Sequence, residues 1–146
     1  MPNFKSTDEL MAYLATEATK WVKNDRGIDL DYSIESIQTI DEELARLSKE
    51  VNKTNPQKGT FGTALGYGAY VGEVIRRRAG GSWAADHPAG GPHSYPLTIT
   101  SNRVIFPVGW CWKRLTGGEE ENVYTKAKLF TGGDKIGNEQ KLGAGL

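Results

Sequence analysis

The chain has a single cysteine, Cys111. No intrachain disulfide can form, so an oxidising compartment gains no support and stability must come from a packed core. Eighteen basic side chains balance eighteen acidic ones. A chain without net charge lacks the general attraction that draws basic proteins to nucleic acid or anionic lipid. No apolar run approaches the ~20 residues of a membrane-spanning helix. The opening stretch MPNFKSTDEL has no apolar centre and turns acidic at once, unlike a secretory signal. A cytoplasmic location is the expectation. Also missing are G-x-S-x-G, a phosphate-binding Gly-rich loop with its lysine, and H-E-x-x-H.

What remains is ordinary for a folded protein: 146 residues, 38% hydrophobic and 25% charged. That length supports one domain with one core. Residues 1–130 are read as that domain, and the glycine-rich 131–146, TGGDKIGNEQKLGAGL, as a flexible tail.

The first helix is predicted to start at Ser6, which with Glu9 has capping-box spacing, and to stop at Gly27. Leu10, Tyr13, Leu14, Ala18 and Trp21 fall on its expected inner face. A second helix, N-capped by Ser33, carries the stripe Ile37, Ile40, Leu44, Leu47 and Val51, with Glu42, Glu43 and Arg46 outside it. NKTNPQKGT at 52–60 reads as a loop.

The third helix, 61–79, is the unusual one. Its sequence FGTALGYGAYVGEVIRRRA is apolar nearly all round, which marks a central helix. Each interior glycine costs ~1 kcal/mol against alanine. Close approach of neighbouring backbone on two sides is the expected compensation.

Beyond Gly80-Gly81 the pattern turns to strands: SWAAD, PLTITS and RVIF, with TSNR as a tight turn. VGWCWKRL reads either as a helix turning Val108, Cys111, Trp112 and Leu115 inward or as a strand. Pro107 suits a helix start and favours the first. A last helix follows TGGEEEN. The predicted fold class is α+β: N-terminal helices with a central glycine-rich helix packed on a small, mainly antiparallel sheet, and a further C-terminal helix.

Arg76, Arg77 and Arg78 are able to grip an anion, but successive helix positions point about 100° apart, and Glu73 stands one turn before them. A structural role is the stronger reading. Asp86, His87 and His93 are metal-ligand types at a spacing that matches no standard site, so no metal is expected. No cofactor is expected either. Cys111, between two tryptophans, reads as core. Trp110 is expected to be partly exposed, with Lys113 and Arg114 on the same outward face. Aromatics beside cations are typical of contact surfaces.

LDYSIESIQTID (30–41) and GAYVGEVIRRRAGGSW (68–83), followed by PLTI, resemble small bacterial proteins of the DUF3806 group over about residues 30–115. The resemblance implies a bacterial or phage setting and brings no catalytic residues with it.

The expected function is a non-enzymatic protein-binding module, such as an immunity or inhibitor protein acting by occlusion. Its binding residues would be Trp110, Arg114, Lys113, Arg76, Arg77 and Tyr95, with no catalytic residue. One alternative is a small enzyme or anionic-ligand-binding domain with a cleft near Arg76, His87 and Tyr95. Another is a nucleic-acid-binding domain using Arg76, Arg77, Lys113 and Arg114.

Overall fold

The computed structural model describes residues 3–53, 59–100 and 102–131. The predicted tail from 132 onward and the centre of the predicted 52–60 loop lie outside the described residues. In order along the chain come α1 (Thr7–Arg26), α2 (Ser36–Lys53), α3 (Thr60–Ala79), β1 (Ser82–Trp83), β2 (Leu97–Thr98), β3 (Val104–Ile105), α4 (Pro107–Thr116), a 3-10 turn (Glu119–Glu121) and α5 (Val123–Thr131). The fold is α+β, dominated by helix.

Local chemistry sets the helix ends. Ser6 Oγ accepts the Glu9 amide at 3.1 Å, while the Glu9 carboxylate accepts the Lys5 amide rather than that of Ser6. Gly27 takes φ 69° and returns its N–H to the Lys23 carbonyl, the left-handed stop that favours glycine. Ser33 Oγ accepts the Ser36 amide at the entrance to α2.

The buried face of α1 is rotated from the predicted one. Met11, Ala15, Ala18 and Val22 are fully buried, whereas Leu10, Leu14 and Trp21 are half-buried. Two alanines let α1 lie close against α3. The α2 stripe is as expected at Ile37, Ile40 and Leu44, but Asp41 and Glu43 are buried beside it.

α3 is the axis of the molecule. Every residue from Gly66 to Ile75 is buried, and its broad contacts are with α1 and α4. A Cβ on Gly66 would meet the Trp21 ring of α1. One on Gly68 would fall 2.5 Å from the Val108 Cα of α4, and one on Gly72 would strike the Trp83 ring. The glycines therefore admit neighbours on two sides, as their cost required. Gly62 differs, with open space where its Cβ would point.

The sheet is small and antiparallel in the order β1-β2-β3, pairing Trp83 with Leu97 and Leu97 with Ile105. Those three side chains are buried, while Ser82, Thr98 and Val104 face outward. The β1–β2 pairing runs on through the Ala84 amide to the Pro96 carbonyl and the Tyr95 amide to the Ala85 carbonyl. The sheet meets α3 through Trp83, whose indole N–H donates to buried Glu73 at 2.8 Å. α4 begins at Pro107, which settles the helix-or-strand question for 108–115 in favour of helix.

Candidate binding groove

The longest-range polar cluster is built on Asp41. Its Oδ1 accepts from Arg114 Nε at 3.0 Å and from the Val123 amide at 2.8 Å, and its Oδ2 accepts from Asn122 Nδ2 at 3.0 Å. Asp41 and Arg114 are each only 6% exposed. Arg114 therefore does not share the outward face of α4 with Lys113. A guanidinium carries several apolar methylenes, and on a helix whose neighbour offers a buried carboxylate it packs inward. Arg114 is tied up in joining α2, α4 and α5.

The arginine run is likewise divided among neighbours. Arg76 donates to the Glu73 carboxylate at 2.8 Å, a bond that holds its pKa above the ordinary value. Arg77 lies over the Tyr32 ring, 3.6 Å from its centroid. Tyr95 is buried and sits beside His93, while the His87 ring meets Phe106 edge-on. Arg76, His87 and Tyr95 each face a different neighbour. Among the described residues no group of three His, Cys, Asp or Glu side chains is placed to hold a metal.

Burial pushes the Cys111 thiol far up, with the Asp41 charge adding to the shift. The thiolate is the reactive form, so burial argues against Cys111 as a nucleophile. Native protein is expected to release no chromophore from a disulfide reagent at pH 8, while denaturant-unfolded protein titrates its one thiol at once. Rapid native reaction would show that the site opens.

One concave feature among the described residues is apolar. A groove of about 530 Å³ lies between the first turns of α3 and α4 and the loop around 89–94. Phe61, Phe106, Trp110 and Trp112 supply its rings, and Pro92, His93 and Lys113 also line it. Phe61 is 42% exposed. Trp110 is half-buried and stacks on Phe130 at 5.7 Å, and Arg103 lies over the Phe130 ring, 4.6 Å from its centroid. The loop forming one wall is pinned by two backbone bonds between His87 and Gly91 and by the His93 amide to Asp86 Oδ1 at 2.9 Å. His93 and Tyr95 sit at φ 58° and 49°, left-handed values that non-glycine residues hold at a cost of about 1–3 kcal/mol each.

Trp110 and Lys113, singled out from the sequence, both line the groove. Phe61 and Phe106 were not singled out, because only the packing of α3 on α4 brings them to the same hollow. Among the described residues no helix is long and apolar enough to cross a membrane. No family model matches the chain, and no curated protein or solved structure is significantly similar to it, so the resemblance to the DUF3806 group rests on the quoted residues alone.

Proposed function

We propose that the chain is a non-enzymatic protein-binding module whose contact surface is the aromatic groove between α3 and α4. The observation that carries this reading is the concentration of four large rings, one of them substantially exposed, in a single hollow. Contiguous exposed apolar surface with a polar rim marks contact sites in proteins. In its narrower form the proposal is a cytoplasmic immunity or inhibitor protein of bacterial or phage origin that blocks a partner's surface. A second reading, a small-ligand-binding domain using this hollow rather than a cleft at Arg76, His87 and Tyr95, is favoured by one number. A hollow of about 530 Å³ falls within the ~300–1,000 Å³ typical of small-molecule pockets.

Phe61→Ala is the cleanest test, since Phe61 lines the groove and contributes little to the core. A partner captured by the native protein should be lost from the variant, with affinity falling at least tenfold, as for an interface anchor. The melting temperature should move by no more than about 2 °C, the effect of a surface change. Undiminished capture by Phe61→Ala would remove the groove from the binding surface.

A further inference from the structure

Among the described residues, Lys113 is the sole Asp, Glu, Lys or Arg side chain lining the groove, and His93 is the other titratable group. Two carboxylates stand near: Asp86 accepts the His93 amide, and Glu121 is held by Lys126 Nζ at 2.6 Å while also feeling the Lys113 charge. Arg103 lies over the ring of Phe130, the stacking partner of groove-lining Trp110. The first turn of α4 also opens onto the groove, and the residue at that cap, Phe106, offers no side-chain acceptor, so the helix dipole adds to the Lys113 charge.

We infer that the groove takes a peptide segment of a partner protein that presents a bulky apolar side chain with a carboxylate close beside it. This rests on the binding-module reading above. The apolar anchor enters among Phe61, Phe106, Trp110 and Trp112, and the carboxylate pairs with Lys113 at the exposed edge. A pinned loop wall lowers the ordering cost of such an encounter. A basic segment with the same anchor is disfavoured, because its cation would be set against Lys113.

The test is selection of a random dodecapeptide display library on the native protein. Enriched peptides should carry Trp, Phe, Leu or Met within a few positions of Asp or Glu. The leading peptide should bind Lys113→Gln about fivefold more weakly, and the difference should shrink as salt rises. Replacing its carboxylate by an amide should cause the same fivefold loss on native protein and no further loss on Lys113→Gln. Phe61→Ala should weaken it at least tenfold. Enriched peptides without acidic residues, or an affinity unmoved by Lys113→Gln, overturn the inference while leaving the binding-module reading intact. Peptides that bind Phe61→Ala as tightly as native protein overturn both. If no peptide is enriched while anilinonaphthalene sulfonate fluoresces on native protein but not on Phe61→Ala, the groove serves a small apolar anion and the peptide inference falls.

Discussion

Asp41→Ala is expected to cost about 3–5 kcal/mol, a large share of the ~5–15 kcal/mol that holds a domain together. Its carboxylate satisfies Arg114 Nε, Asn122 Nδ2 and the Val123 amide at once. Alanine leaves a buried guanidinium without its counter-charge and the start of α5 without its acceptor. Two measurements check this. Urea unfolding should show the midpoint falling with the slope unchanged. Amide exchange should accelerate first in α5. The double variant Asp41→Ala with Arg114→Met should regain part of the loss, because it removes the orphaned charge as well. A single-variant cost below about 1 kcal/mol would mean that water reaches the pair and that it behaves as a surface salt bridge.

Two alanine substitutions on α3 should act with opposite signs. Gly62→Ala places its methyl in open space and should stabilise by up to about 1 kcal/mol through helix propensity alone. Gly68→Ala gains the same propensity but drives its methyl into the Val108 backbone, which cannot rotate away as a side chain can. A net loss of about 2–3 kcal/mol is expected from this overpacking. Thermal unfolding of the pair should bracket the native midpoint on both sides. Equal shifts in the same direction would refute close α3–α4 contact as the reason for the glycines.

Features governed by neighbours in sequence were legible. Ser6, Gly27 and Pro107 act within a turn of their own position, and they set helix ends as read. The α3 glycines were legible for a different reason: their cost is intrinsic, so a compensation had to exist, and its nature followed. The strands were read at the right places with the right antiparallel sense, because Trp83, Leu97 and Ile105 sit at alternating positions with turn residues between. Polarity alone misplaced the buried charges. Glu43 and Arg114 read as outward-facing and Glu73 only as a partner for the arginines one turn on, and the burial of all three shows only in the structure. Glu73 takes the Trp83 indole as well as Arg76, Glu43 takes Arg46, and the Arg114 partner lies 73 residues away. The rotated face of α1 has a related cause. Helical spacing placed Leu10, Tyr13 and Leu14 inward with Ala18, whereas close packing against α3 buries Met11, Ala15 and Val22 beside Ala18. The groove was half legible for the same reason, since Phe61 and Trp110 meet only after α3 and α4 have docked.

The Asp41 cluster also has a temporal side. During synthesis the α2 carboxylate emerges long before the three donors that will claim it, which follow it by 73, 81 and 82 positions. Until then α2 and the glycine-bearing rod can pair with α1, but the side of the rod meant for Val108 stands bare. The Asp41 carboxylate can gain its full set of donors only once the segment around Val123 has left the ribosome.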